Sequence, residues 1–154
     1  MAILIPLPGE TPIQVQHLAL DFTGTLSKDG RLLPGVAERV HALSGRVRIV
    51  VMTADTRGTA RNELAGFPVE LHLVADGAEK ARLARGLGPA GLAAIGNGRN
   101  DVALLALAAL GIAVLGAEGT AAELIRVARV VAPEILTALD LLIEPQRLTA
   151  TLRA

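Results

Sequence analysis

The stretch His17-Leu18-Ala19-Leu20-Asp21-Phe22-Thr23-Gly24-Thr25-Leu26 decides how the rest of the chain is read. An apolar run ends in an aspartate, and a turn containing glycine follows. Residues that are apolar in succession, not in alternation, suit a parallel strand covered on both faces. A carboxylate closing such a strand needs a reason, because burying it is costly unless it is paired or binds a metal. Two roles fit Asp21. It is a nucleophile held at the strand's end, or it caps the following turn.

Outward from this stretch, short apolar runs recur: Val47–Met52, Val69–Ala75, Leu92–Ile95, Gly111–Leu115 and Val127–Val131. With Val15–Leu20 they make six predicted strands. Helical patterns lie between them. Val36, Val40 and Leu43 share a face behind Pro34. Arg57–Leu64, Ala78–Leu87, Asn100–Leu110, Thr120–Ala128 and Pro133–Ile143 follow, with Asn100 and Thr120 as expected N-caps. Residues 22–33 have little apolar periodicity and contain Lys28-Asp29-Gly30, which predicts a hairpin or flap. Pro145 turns the tail, 145–154, away from the last helix. Strand–helix alternation of this kind predicts one Rossmann-like three-layer α/β/α domain over 1–154, built on a mainly parallel sheet.

Composition narrows the function. The 154 residues carry 15 basic and 15 acidic side chains, so no electrostatic footprint for nucleic acid or an anionic membrane is present. Phe22 and Phe67 are the only aromatic residues, which leaves no base-stacking platform. The absence of cysteine excludes thiolate metal sites and cysteine nucleophiles. The longest uncharged run, Val102–Ala117, falls short of the roughly 20 residues that span a bilayer. The N-terminus has no basic region ahead of its apolar start, unlike a signal peptide. These features set the expectation of a cytoplasmic protein with no membrane insertion and no nucleic-acid partner. His17, His41 and His72 lack metal-ligand spacing and read as structural.

In an open α/β sheet, chemistry lies beyond the carboxyl ends of the strands. Four features fall there: Asp21–Leu26; Thr53, closing Ile49–Met52; Lys80, after the third strand; and Gly96-Asn97-Gly98-Arg99-Asn100-Asp101. Each has a plainer reading as well. Thr53 could cap a helix, Lys80 could be a solvated charge, and Asn97-Gly98 could be a tight turn. Yet Lys80 is one of only two lysines in a chain that otherwise uses arginine, and a compact ammonium is not interchangeable with a guanidinium fork.

In this order the features resemble the haloacid dehalogenase-like superfamily, and more closely the phosphorylation domain of P-type cation-transport ATPases. The ATPase motif D-K-T-G-T-L-T is matched by DFTGTLS at Asp21–Ser27, and T-G-D-x-x-x-T-A by TADTRGTA at Thr53–Ala60. G-D-G-x-N-D is matched by GNGRND at Gly96–Asp101. The resemblance covers about Val15–Val131. The nearest likeness is to an uncharacterised branch of soluble P-type ATPase proteins, which the tail Pro145–Arg153 also resembles.

The resemblance implies strand order 6-5-4-1-2-3 and a site with assigned roles. Asp21 is then the nucleophile, and Thr53 and Lys80 hold phosphoryl oxygens. Mg²⁺ is held by Asp21, the Thr23 carbonyl and Asn97, with Asp101 as a further ligand or a brace. Gly24, Ala54 and Asn100 complete the phosphate-binding set. Two positions depart from the pattern of active phosphatases. Thr23 stands where they carry an acid–base aspartate, and Asn97 stands where the family has a metal-binding aspartate. Only 31 residues separate Asp21 from Thr53, too few for a cap or a nucleotide-binding domain, so ATP pumping is excluded. The expected function is Mg²⁺-dependent phosphohydrolase or phosphotransferase chemistry of low turnover. Its substrate is a phosphorylated small molecule or a phosphoprotein, and a homo-oligomer closes the mouth. The alternatives are a degenerate phosphoryl-binding module that modulates a partner, and a subunit serving a separate transporter.

Overall fold

The computed structural model describes residues Met1–Ala154. The chain opens on two short strands, β1 (Ile3–Ile5) and β2 (Ile13–Val15), paired antiparallel. One residue later β3 (His17–Asp21) begins, and a small hairpin of β4 (Ser27–Lys28) and β5 (Arg31–Leu32) follows it. Then come α1 (Val36–Ser44), β6 (Arg48–Thr53), α2 (Ala60–Glu63), β7 (Glu70–Leu73) and α3 (Gly77–Leu87). The second half holds β8 (Leu92–Gly96), α4 (Val102–Leu107), β9 (Leu110–Val114), α5 (Ala122–Val127) and β10 (Val130–Ala132). It ends with α6 (Ile135–Ile143) and α7 (Gln146–Leu152).

The central sheet runs β10-β9-β8-β3-β6-β7, all parallel, which is the expected order of the six strands. Side chains alternate between its two covered faces. Leu18, Leu20, Ile49, Val51 and Ile95 point to the face covered by α1 and α6. Ala19, Val50, Met52 and Ala94 point to the other, where Ala84, Leu104 and Leu124 of α3, α4 and α5 pack. Both faces are apolar, which is why these strands read as continuous runs.

Register places the site. Asp21 lies beside Met52 of β6, and Leu20 lies beside Ile95 of β8. Thr53 and Asn97 therefore emerge one and two residues past those partners, on either side of Asp21, at the switch point between β3 and β8.

Several local expectations are corrected. The run from Val15 is two elements, because Val15 pairs with Ile3 while the sheet begins at His17. Helix Arg57–Leu64 shrinks to Ala60–Glu63, since Asp55 and Gly58 take positive φ (52° and 70°) and keep the segment a turn. Thr53 caps no helix. Asp55 caps α2 instead, its carboxylate accepting from the amides of Thr59 (3.0 Å) and Ala60 (3.1 Å). Asn100 sits inside a 3-10 turn (Arg99–Asp101) ahead of α4, and Leu110 already belongs to β9. The Thr120 hydroxyl donates to the carbonyl of Val114 rather than capping α5. Val127 ends α5, so the last strand starts only at Val130. The break expected at Pro145 is present, and beyond it the tail forms α7, with Leu148 buried against the core.

Within 22–33 the chain forms a two-residue hairpin with Asp29 and Gly30 both at positive φ (52° and 80°), as such turns require. A Cβ on Gly30 would also lie 2.8 Å from the Thr59 hydroxyl. Gly30→Ala is expected to cost about 1–2 kcal/mol from the left-handed backbone. A urea melt of the variant beside the wild type measures it.

Candidate phosphoryl-transfer site

The site grows from a carbonyl. The C=O of the fully buried Phe22 accepts from the amides of Thr25, Leu26 and Ser27 and from the Ser27 hydroxyl (2.9 Å). That hub curls residues 22–27 back over the end of β3 and turns Thr25 toward Asp21. Gly24 makes room, because a Cβ there would lie 2.5 Å from the Asn97 side-chain nitrogen.

Lys80 reaches the same point from α3. Asp76 caps that helix, its carboxylate accepting from the Glu79 amide at 2.9 Å. Gly77 lets the helix press on the Asn100 backbone, where a Cβ would lie 2.8 Å from the Asn100 carbonyl oxygen. Three residues on, and so on the same face, Lys80 is wholly buried. Its Nζ donates to Asp21 Oδ1 and to Asp101 Oδ1, each at 2.8 Å. Asp101 has no exposed surface, and its Oδ2 accepts from the amides of Asn97 (3.2 Å) and Gly98 (3.1 Å). With both oxygens so committed, Asp101 braces Lys80 and the loop and is not placed as a metal ligand. Of the two roles expected for Asp101, ligand or brace, these contacts are those of a brace.

Asp21 is 4% exposed, and burial together with the Asp101 charge pushes its carboxyl up to about 7 against the opposing pull of Lys80. Burial alone would lower the Lys80 ammonium. Asp21 and Asp101 outweigh it and hold Lys80 above the usual lysine range.

The second oxygen of Asp21 faces Asn97. Thr25 Oγ1 lies 3.1 Å from Asp21 Oδ2 and 3.0 Å from Asn97 Oδ1. Asn97 Nδ2 donates to the Gly119 carbonyl at 3.0 Å, which fixes the amide with its oxygen toward Asp21. One hydroxyl proton cannot serve two acceptors, so once Asp21 is ionised one of the two oxygens is free to meet a cation. Such an all-oxygen set suits a hard divalent cation. No group of three or more His, Cys, Asp or Glu side chains gathers anywhere, so a nitrogen- or thiolate-rich site is not an option.

Asp21, Thr23, Thr53, Ala54, Asn97 and Asn100 all line one open cavity of about 630 Å³. Thr53 Oγ1 accepts from the Asp55 amide (2.9 Å), and no protein acceptor takes its own proton, which leaves that proton for a ligand. Gly24 lies beneath, shaping the loop. Asp55 and Arg57 take structural work, Asp55 in the α2 cap and Arg57 in a 3.3 Å ion pair with Asp29 of the hairpin tip. The sequence reading gave no role to Thr25, although it lies inside the DFTGTLS motif. It also passed over Glu118, which lines the cavity from a loop without any motif.

Comparison with known proteins follows the geometry. No protein-family model matches the chain. An uncharacterised protein of Methanocaldococcus jannaschii is 50% identical over 60 residues, a stretch covering 39% of this chain. The match spans 64% of that relative's length, less than two thirds of it. Among solved structures, 3-deoxy-D-manno-octulosonate 8-phosphate phosphatase from Moraxella catarrhalis, in complex with magnesium, phosphate and KDO, superposes with TM-score 0.67 at 16% identity. The alignment covers 89% of this chain and 90% of that one. The cobalt-bound deoxy-D-mannose-octulosonate 8-phosphate phosphatase from Haemophilus influenzae gives TM-score 0.71 at 14% identity, over 89% of this chain and 92% of that one. A zinc-transporting PIB-type ATPase is 26% identical with TM-score 0.64, over 78% of this chain but 20% of that one. The chain has the haloacid dehalogenase-like fold, without a cap domain.

Two carboxylates share one ammonium in a buried cluster, so substitutions should act in opposite directions. Lys80→Met, which strips the cation from both, is expected to cost about 3–5 kcal/mol. Asp21→Asn leaves a balanced Lys80–Asp101 pair and should gain on the order of 1–2 kcal/mol at neutral pH. The raised carboxyl also sets a pH window. Between the unfolded value near 3.8 and about 7 the folded protein holds the proton more tightly. Stability should therefore fall as pH rises through that range and level off above it. Chemical melts from pH 4 to 8 in the absence of divalent cations check this, and Asp21→Asn should flatten the slope.

Proposed function

We propose that the protein is a Mg²⁺-dependent phosphohydrolase or phosphotransferase acting through an aspartyl-phosphate on Asp21. One observation carries the reading: a buried carboxylate at the floor of an open cavity, with one oxygen on Lys80 and the other turned to Thr25 and Asn97. An Asp21 oxygen attacks phosphorus, and the bond to the leaving oxygen breaks. The Thr53 hydroxyl donates to a phosphoryl oxygen, and Lys80 offsets the crowding of negative charge. Asp21, Asn97 and the Thr23 carbonyl would hold the cation, whose chemistry when bound is to neutralise phosphoryl charge. Ala54 and Asn100 line the cavity beside Thr53 and Asn97 as further contacts for the phosphoryl group.

Thr23 cannot exchange a proton near neutral pH, so the leaving group departs unaided. That favours acyl or aryl phosphates over alkyl esters and keeps turnover low. Asn97 adds an oxygen but no charge, which weakens the hold on the cation. The interval between Asp21 and Thr53 is taken up by the β4–β5 hairpin and α1, with no cap above the cavity. An open mouth admits a phosphorylated small molecule or a phosphoprotein side chain. Neither aromatic ring can stack on a base there, because Phe22 is buried and Phe67 packs on His41 at the far end of the sheet. No helix is long and apolar enough to cross a membrane. The cytoplasmic setting is part of the proposal. Closure by a second copy would need a segment other than the hairpin, whose tip engages this chain's own loops through Thr59, Arg57 and Glu118.

A second reading is a phosphoryl-binding module that regulates a partner, favoured by the presence of Thr23 and Asn97 where active phosphatases have carboxylates. Slow Mg²⁺-dependent turnover of acetyl phosphate or p-nitrophenyl phosphate, abolished in Asp21→Asn, is the expected result of a direct assay. Turnover that survives the substitution overturns the nucleophile. A thermal shift with beryllofluoride and Mg²⁺ but no turnover of either ester selects the regulatory reading.

A further inference from the structure

The chemistry proposed for Asp21 leaves its second half unassigned: something must take the proton of the water that discharges the aspartyl-phosphate. Among the side chains lining the cavity, only Asp21 and Glu118 can accept a proton near neutral pH; the others are Thr, Asn, Arg, Ala and Gly. Asp21 is the phosphorylated group, so it cannot also be the base.

The position of Glu118 is built rather than accidental. Its loop, Gly116–Ala121, is pinned at three points to the groups around Asp21. A Cβ on Gly116 would lie 2.7 Å from the Gly24 carbonyl oxygen, so the loop's start is pressed onto the Asp21 turn. The Gly119 carbonyl accepts from Asn97 Nδ2 at 3.0 Å, and the Ala121 amide donates to the Asn97 carbonyl at 2.9 Å. Glu118 sits between these anchors at the crown of the loop. Its Oε2 accepts from the Asp29 amide of the hairpin tip at 3.0 Å, while it forms no ion pair and its Oε1 has no protein partner. The other carboxylates nearby do not line the cavity: Glu123 pairs with Arg99, Asp29 with Arg57, and Asp55 accepts from the α2 amides.

We infer that Glu118 is the general base of the dephosphorylation step, held by the hairpin at the rim of the cavity that Asp21 also lines. This rests on the Asp21 reading above. Water attacks the phosphorus of the aspartyl-phosphate as its proton passes to the Glu118 carboxylate. The bond from phosphorus to the Asp21 oxygen breaks and returns that side chain as a carboxylate. Inorganic phosphate leaves, and Glu118 gives its proton to solvent. The hairpin then acts as a positioning element, because its tip spans from the loop after β6 to the loop after β9.

Acetyl phosphate with Mg²⁺ separates the two halves of the reaction. Glu118→Gln keeps an oxygen for the Asp29 amide but cannot take a proton. It is expected to label on Asp21 at the same initial rate as wild type, to accumulate at least as much label, and to lose it about 10²–10⁴-fold more slowly once acetyl phosphate is removed. Hydroxylamine, which removes an acyl phosphate by direct attack, should strip both proteins equally. Glu118→Asp should recover part of the rate, and Glu38→Gln on the solvent side of α1 should behave as wild type. Labelled wild type and Glu118→Gln that discharge within about threefold of each other overturn the role of Glu118 alone. A wild type that never labels on Asp21 overturns the nucleophile, and this inference with it.

Discussion

The constraint on which the rest of the structure depends is a single buried ammonium between two carboxylates. Lys80 is fully buried, with Asp21 and Asp101 each 2.8 Å from its Nζ. Three elements distant in sequence must meet to make it: the end of β3, the first turns of α3 and the loop after β8. Removing Lys80 leaves two uncompensated carboxylates in low dielectric, so the geometry of all three elements is tied to that one ammonium. The glycines at 24 and 77 permit the close approaches that the cluster needs.

The cluster carries one negative charge too many, and Glu118 adds another at the mouth. Such a site would repel a phosphate dianion unless a cation shared the space. The oxygen pair on Asp21 and Asn97, with one hydroxyl proton between them, is the place proposed for that cation. The same imbalance holds Asp21 far above the ordinary carboxylate range. Groups tuned in this way are characteristic of functional sites, which carry strain that the surrounding core must offset. Here that core is two layers of aliphatic side chains on either face of a parallel sheet, with almost no aromatic contribution.

The legible parts of the fold were those whose physics is local or periodic. Continuous apolar runs mark strands covered on both faces, and five of the six lie within a residue or two of the observed bounds. Helices fared worse where tertiary geometry overrode the pattern. The segment after Thr53 is helical in composition, yet left-handed turns at Asp55 and Gly58 delay the helix to Ala60. The β1–β2 pair went unseen because two three-residue strands carry no periodic signal of their own. The last strand was misplaced because Val127 and Val130 are equally apolar, and only packing assigns one to a helix and the other to a strand.

By itself the sequence determined the strand order's family resemblance, the nucleophile candidate and the residues that accompany it, because rare residue types recur there at recognisable spacings. It also determined the two departures, Thr23 and Asn97, which are matters of identity and not of geometry. Tertiary structure alone decided what each group does with its neighbours. It set Asp101 against Lys80 as a brace and gave the cap of α2 to Asp55 rather than Thr53. It gave the Thr25 hydroxyl a place between Asp21 and Asn97, and brought Glu118, 97 residues from Asp21 along the chain, to the same cavity. The reason is physical: hydrogen bonds and ion pairs act over about 3 Å in space, and spacing along a chain carries that information only where one element supplies both partners.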